Sequence, residues 1–423
     1  MTAEPRPPAL KFVAVTLSFF LLLNAFWFYG FVRDGLWIAL VVGSVFLYRK
    51  TGWINFSILA LTFTVLTGTL LAAVPRLGLD DMLYPDAHSR METRDAEGRS
   101  IYKRNSRLEM EQPFGDLKRM AGPEQELETQ PRHILFQTDD LGFRNESPVP
   151  ENPRWVLVGD SFIAGNGNSQ PDLLASQLKR RGVSIYNLGW PGAIPDYVAN
   201  IEKFRKQKNR DAKFLLFVFE GNDFLEREKV RVEGLSKIKK GWKRFFGAYK
   251  NFFRNTDLYR LTYILYASIK NKVKPKNRVV VHSIGGRPIG FYKRYLEAAQ
   301  SEQYTFPLWV EEELKRVNGS IAHVFFIPIK YRVLQPLFDT PGKPIPNAPW
   351  QALQKLTRQL NIPATNLTPQ LIEGTRQLFK QNGRLTFWTD DTHWNRAGTN
   401  LVARVVCNTL NEMGCKEGSL EKN

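Results

Sequence analysis

Four short stretches of this chain combine residue types that can carry out acyl transfer through a serine nucleophile. Trp155-Val156-Leu157-Val158 is an apolar run that follows Pro153 and closes on Gly159-Asp160-Ser161, which reads as a buried strand delivering a serine at its carboxyl end. A serine hydroxyl attacks an ester carbonyl only when an adjacent base takes its proton, and histidine has the pKa suited to that task near neutral pH. His393 stands in Thr389-Asp390-Asp391-Thr392-His393-Trp394-Asn395, where a carboxylate can orient the imidazole and stabilise the imidazolium. Two more apolar runs end on Asn187-Leu188-Gly189 and on Glu220-Gly221-Asn222-Asp223. From such ends a backbone N–H and a side-chain amide can address a developing oxyanion. Taken alone, Gly-Asp-Ser is more often a turn with a helix cap; its standing rests on the groups downstream.

These groups are far apart in sequence, so the fold has to gather them. The pattern over Asp172–Arg181 predicts a helix, Val183–Leu188 a strand, Asp196–Lys208 a helix, and Phe214–Phe219 a strand whose unbroken apolar character suits a parallel sheet covered on both faces. Ile321–Ile329 reads as a further buried strand, Trp350–Leu360 as a helix and Ile362–Leu367 as a short strand before another helix. The alternation predicts an α/β fold, a three-layer α/β/α sandwich with a parallel sheet. All carboxyl ends of such a sheet share one edge, where Ser161, Gly189 and Asn222 can meet. Asn395 is placed to cap the closing helix and so to fix the loop carrying His393.

The chain has 423 residues and a net charge of +18, more than one average domain needs. Its amino-terminal part reads as membrane-embedded. Phe12–Phe31 is apolar except for Thr16, Ser18 and Asn24, long enough to cross a bilayer and long for a cleaved signal. Leu36–Tyr48 is short for a span and Trp53–Val74 is ample, so the expectation is three spans with the second the weakest. Arg6, Lys11, Arg49 and Lys50 flank them, while the Arg33-Asp34 turn is neutral; the excess of basic residues places the amino terminus in the cytoplasm. An odd number of spans then puts Pro75 onward outside, and only a two-span reading reverses this. The expected organisation is a membrane segment over 1–76, a polar connector with short strands over 77–150, and a catalytic domain over 151–423 with a basic insertion at about 224–300.

Between Phe224 and Arg278 stand 16 Lys or Arg against 4 Asp or Glu, so the basic character is local. Within it, 237–254 mixes cations with aromatics. Three readings stay open for it: a helical hairpin over the sheet edge, a segment lying on an anionic bilayer, and a site for anionic polysaccharide. No nucleic-acid motif is present, so no such partner is expected. Cys407 and Cys415 form neither a Cys-x-x-Cys nor a cysteine–histidine cluster, and neither metal nor cofactor is expected. Inside one helix these cysteines would be about 12 Å apart along the axis; a turn at Gly414 would allow a bridge, and the question stays open. Arg144, in the turn Asp140–Asn145, reads as structural rather than substrate-contacting. His88, His133, His282 and His323 read as surface or core-edge residues, and Asp223 as structural.

Gly159-Asp160-Ser161, Gly189, Gly221-Asn222-Asp223 and Asp391-Thr392-His393-Trp394-Asn395, in this order and each at a strand end, resemble the blocks of the SGNH (GDSL-type) hydrolase superfamily over roughly 150–412. The resemblance implies a flavodoxin-like fold with Ser161 as nucleophile and His393 as base and acid. It implies an oxyanion hole made by the Ser161 and Gly189 N–H groups with the Asn222 amide. The chain departs from the pattern twice. Glu220 holds the place where the third block often has its glycine. The final block is often Asp-x-x-His, which selects Asp390, whereas the Asp-x-His-Trp form of alginate O-acetyltransferase-like relatives selects Asp391; we favour Asp391. The expected activity is an esterase, anchored in the cytoplasmic membrane of a bacterium and facing the periplasm. It would act on O-acyl, above all acetyl, groups of cell-surface or exported carbohydrate. The alternatives are an O-acetyltransferase working with a multi-span acyltransferase partner, and an inactive polysaccharide-binding or assembly protein.

Overall fold

The computed structural model describes residues 83–94, 100–122, 124–224 and 278–415, with the isolated Thr69, Leu261 and Ile264. The chain divides into two units, Met1–Pro85 with Val232–Pro275, and Asp86–Arg231 with Lys276–Asn423; every element below belongs to the second. No helix among the described residues is long and apolar enough to cross a membrane. The expected spans, Thr69 apart, and the segment 237–254 lie outside the described residues.

Helix α1 (Ala87–Met91) leads into a ribbon of β1 (Glu92–Arg94) and β2 (Ser100–Tyr102), and a second antiparallel ribbon, β3 (Arg107–Gln112) with β4 (Arg132–Gln137), flanks α2 (Asp116–Met120). There follow β5 (Trp155–Val158), α3 (Ser161–Ala164), α4 (Leu174–Arg180), β6 (Ile185–Asn187), α5 (Ile194–Gln207) and β7 (Lys213–Phe219). Beyond the basic segment come the hairpin β8 (Val279–Ile284) and β9 (Arg287–Tyr292), α6 (Lys293–Ala299), α7 (Leu308–Lys315), β10 (Ile321–Ile327), α8 (Lys330–Leu334), α9 (Ala348–Gln359), β11 (Ala364–Asn366), α10 (Thr368–Asn382) and α11 (Arg396–Thr409).

Five of these strands form a parallel sheet in the order β11-β10-β7-β5-β6. Because side chains alternate across a strand, each strand feeds two cores. Trp155, Leu157, Phe217 and Phe325 pack with α4, α10 and α11, whereas Val156, Val158, Leu216 and Phe326 pack with α5, α7 and α9. Both faces of the sheet are thus covered, as the uninterrupted apolar run of β7 requires. The chain leaves β5 for the edge strand β6 and returns to β7 on the other side of β5, so the crevice above β5 lies at a reversal of strand order, where α/β sheets bind ligands.

Two boundaries differ from expectation for physical reasons, and a third feature takes one of the alternatives left open. Val183, expected in the second strand, belongs to the exit of α4: Gly182 takes φ +81° and the Val183 N–H donates to Leu178 O at 3.2 Å, a Schellman-type closure. The end of the expected insertion is core structure, since Ile284, Ile289, Phe291 and Ala299 are buried with the main sheet. Near the carboxyl end, α11 stops at Thr409, Gly414 takes φ +64°, and the chain folds back to join Cys407 and Cys415 in a disulfide with Cα atoms 5.7 Å apart.

Candidate active site

Ser161 opens α3 directly after β5. The Asp160 carboxyl caps this turn, Oδ1 accepting from the Phe162 N–H at 2.9 Å, which fixes the sharp exit from the strand. Behind the turn the loop after β6 packs closely: a Cβ on Gly189 would lie 2.4 Å from Ala164 N and 2.5 Å from Ile163 C, so only glycine lets the two loops meet. Arg144 anchors the far side. Its buried guanidinium donates to Gly165 O at 2.7 Å, Asn168 O at 3.0 Å and Leu135 O at 3.2 Å and lies 4.0 Å over the Phe136 ring. Burial draws its pKa down to about 9. Arg144 is therefore a structural clasp, as its place in a turn predicts.

The histidine arrives from the opposite side. His393 Nε2 accepts from Ser161 Oγ at 2.7 Å, and Nδ1 donates to Asp391 Oδ1 at 2.6 Å. Asp391 Oδ1 also receives the His393 backbone N–H at 3.1 Å, so one carboxylate fixes both the ring and the backbone of its partner. Asn395 caps α11 by accepting from the Ala397 N–H at 2.9 Å, which holds this loop against the last helix. Asp390 does different work: fully buried, it accepts from the Gly115 N–H at 2.8 Å, the Gln130 N–H at 3.2 Å and Arg132 Nη2 at 3.0 Å. Of the two aspartates, Asp391 meets the imidazole.

The electrostatics follow from burial and pairing. Burial alone would raise the Asp391 pKa, but the His393 hydrogen bond and charge, with Arg132, hold it far below the usual carboxylate range. Burial alone would lower that of His393, and Asp391, Asp116 and Asp160 together hold it above the ordinary value. Burial pushes Asp160 up to about 6. An imidazole favoured as a cation beside a permanently charged carboxylate is suited to accept the serine proton.

The two remaining expected donors sit at the sheet edge, Gly189 with a partner in its own loop and Asn222 with one in the loop after β6. The Gly189 N–H donates to Asn187 Oδ1 at 2.9 Å, and Asn222 Nδ2 to Gly192 O at 3.1 Å. The Gly189 backbone has a single N–H, which must share or exchange its partner to engage an oxyanion, whereas the Asn222 amide carries a second N–H. Glu220, where the third block often has glycine, is buried and binds Arg332 and the Ile329 N–H at 2.9 Å. Asp223 accepts from Tyr197 Oη at 2.8 Å and the Phe219 N–H at 2.9 Å, the structural role expected. His323 lies on β10 and bonds Thr365 Oγ1 at 2.8 Å. His88 bonds Tyr102 Oη through Nδ1 at 2.7 Å, His133 pairs with Glu111, and His282 stacks on Phe338.

Three residues beside the histidine loop lie outside the sequence blocks. Arg132 stacks 4.2 Å over Trp388 and faces both aspartates. Lys330 Nζ donates to Gly290 O at 2.8 Å, Thr389 O at 2.9 Å and Asp391 O at 3.1 Å, and burial draws its pKa down to about 7. Asp116 contacts Thr392. A sequence signal existed for Arg132, which alternates in phase with the buried Ile134 and Phe136 of β4. Asp116, Asp391 and His393 are also the one group among the described residues whose spacing could hold a metal ion, with ligand atoms within 4.8 Å of one another. Both His393 ring nitrogens already have protein partners, however, and so do both Asp116 oxygens. The spacing therefore serves hydrogen bonds.

A parallel sheet bearing a serine, a histidine and an aspartate bonded in series at its carboxyl edge defines the class of an α/β serine hydrolase. The family model of the GDSL-like lipase/acylhydrolases matches residues 156–406, and the chain belongs to that family, a serine hydrolase acting on esters. None of the curated proteins matches it in sequence. Among solved structures, the crystal structure of the YXIM protein of Bacillus subtilis is similar at 12% identity and a TM-score of 0.27, over 69% of this chain and 70% of that one, too slight a likeness to carry an argument.

Proposed function

We propose that this protein is a membrane-anchored, extracytoplasmic serine esterase that removes O-acyl groups, acetyl foremost, from cell-surface or exported carbohydrate. The observation that carries the chemistry is the unbroken series from Ser161 Oγ through His393 to Asp391. Ser161 Oγ attacks the ester carbonyl while its proton passes to His393 Nε2, and the imidazolium is stabilised by Asp391. The tetrahedral oxyanion is met by the Ser161 N–H and the second N–H of the Asn222 amide, with the Gly189 N–H after exchange of its present partner. Collapse breaks the bond to the sugar oxygen, which takes the proton from His393, and leaves an acyl group on Ser161. Water then attacks with His393 as base, and the acid leaves as Ser161 regains its proton. The anchored, outward location rests on the apolar stretches and flanking basic residues of 1–76, and the carbohydrate substrate on the family resemblance.

The test is turnover of nitrophenyl acetate and of acetylated oligosaccharide by the full chain in detergent, with Ser161→Ala as control. Acetate release that vanishes in the variant is expected. Acetyl appearing on an added sugar instead of in water assigns the chain to the transferases, and a folded wild-type protein that handles neither ester refutes the proposal.

A further inference from the structure

The family match begins at residue 156, yet part of the shell around the histidine loop comes from upstream. Helix α2 starts against that loop: the Asp116 N–H donates to Asp391 Oδ2 at 3.2 Å, and the Leu117 N–H to Asp390 O at 3.0 Å. A Cβ on Gly115 would lie 2.4 Å from Asp390 O and 2.5 Å from Asp391 Cβ, so the approach itself depends on glycine. The Asp116 side chain then uses both oxygens on one residue, accepting from the Thr392 N–H at 2.8 Å and from Thr392 Oγ1 at 2.6 Å. Thr392 is the link between Asp391 and His393. Two carboxylates thus face one imidazole.

We propose that Asp116 is a positioning residue of the Ser161–His393–Asp391 relay, fixing the histidine loop through Thr392 and adding its negative charge to that of Asp391 in favour of the imidazolium of His393. This rests on the serine-esterase reading above and deepens it: the segment before the family domain becomes part of the active site. The titratable and charged groups around His393 are Asp391 on its own loop, Asp390 paired with Arg132 of β4, Asp160 at the turn after β5, Lys330 of α8 and His88 of α1, which burial keeps neutral. All of these residues remain when Asp116 is neutralised, so the midpoint reports the loss of one carboxylate from the cluster. Burial, and next the charge of Asp391, push Asp116 up to about 6, within the range where it exchanges protons with its neighbours as a cluster. A full charge about 5 Å away acts on a histidine by about two pH units at an effective dielectric near 20, and by about one when the charge is shared.

The test uses the full chain in detergent and the rate at which a fluorophosphonate labels its serine as a function of pH. Labelling needs neutral His393 as base, so its rate falls on the acid side with the cluster's apparent pKa. Asp116→Asn keeps an oxygen for Thr392 and removes the charge; its acid-side midpoint is expected to fall by about one pH unit, with a lower plateau. Thr392→Val keeps the charge and removes the two contacts of Thr392 Oγ1, to Asp116 Oδ2 at 2.6 Å and to His393 Nδ1 at 3.2 Å, so its plateau falls while its midpoint moves less than that of Asp116→Asn. An unmoved midpoint in folded Asp116→Asn overturns the proposal whatever happens to the plateau, and so does an equal shift in Thr392→Val. Should Asp116→Asn not fold, Asp116→Ser reads the same midpoint. A wild-type chain that takes no label refutes the nucleophile reading and the relay with it, a failure distinct from an unmoved midpoint.

Discussion

Asp390 and Asp391 are adjacent, both acidic and both buried, and the structure assigns them opposite phenotypes. Asp391→Asn replaces the acceptor of the His393 Nδ1–H with an amide that can present its NH2 to the ring and hold the wrong tautomer. The comparable change in a serine protease triad costs about 10^4 in kcat, or about 5 kcal/mol of barrier, and a loss of that order is expected here in the protein that is folded. Asp390→Asn leaves the relay untouched but takes the charge from a carboxylate that holds Arg132, Gly115 and Gln130. Arg132, with a side chain only 4% exposed, keeps Asp391 Oδ2 at 3.7 Å as its other ionic partner. Breaking a buried pair costs about 3–5 kcal/mol, and the residual partner puts this case near the lower end. At roughly 2–4 °C per kcal/mol for a domain of this size, Tm falls by about 6–12 °C. Differential scanning fluorimetry with nitrophenyl acetate hydrolysis, normalised to folded protein below the lower Tm, separates the two effects. Folded Asp390→Asn as inactive as Asp391→Asn, or Asp391→Asn with more than about a tenth of wild-type activity, would refute the assignment.

Other perturbations read other parts of the molecule. Arg144→Met leaves the carbonyls of Gly165, Asn168 and Leu135 without their donor, and is expected to cost about 3 kcal/mol or more in denaturant unfolding; an unchanged midpoint contradicts the clasp. Gly189→Ala drives a methyl group into the backbone of Ile163 and Ala164 and should lower kcat about a hundredfold or more by moving the oxyanion donors, measured by ester turnover of protein shown to be folded; wild-type turnover contradicts the close packing. Cys407→Ser opens the short loop to Cys415 and should lower stability by about 2–3 kcal/mol while kcat stays, with thermal unfolding in the presence and absence of reductant as the check.

What was legible in the sequence was whatever repeats with a structural period or sits where a period breaks. The apolar runs of β5 and β7 announced strands, and the polar residues ending them, Ser161 and Asn222, marked the sheet edge because every parallel strand ends there. Asp391 against Asp390 turned on a choice of spacing, and in the structure it is Asp391 that hydrogen-bonds the imidazole. Asp116 and Lys330 were not legible: each is a single charge with no periodic neighbour, and the contact from Asp116 to Thr392 spans 276 residues, a distance no local pattern encodes. Arg132 lay between these cases, since its phase with Ile134 and Phe136 points inward while its charge argues for solvent. The partners of the Gly189 N–H and the Asn222 amide were likewise hidden, because a strand end locates a donor but not the acceptor it meets.

Whether Ser161 is the nucleophile is read by peptide mapping by mass spectrometry of the full chain treated with a fluorophosphonate. One adduct is expected, on the peptide containing Ser161, absent in Ser161→Ala and strongly slowed in His393→Ala. An adduct on another residue, or undiminished labelling of Ser161→Ala, would contradict it.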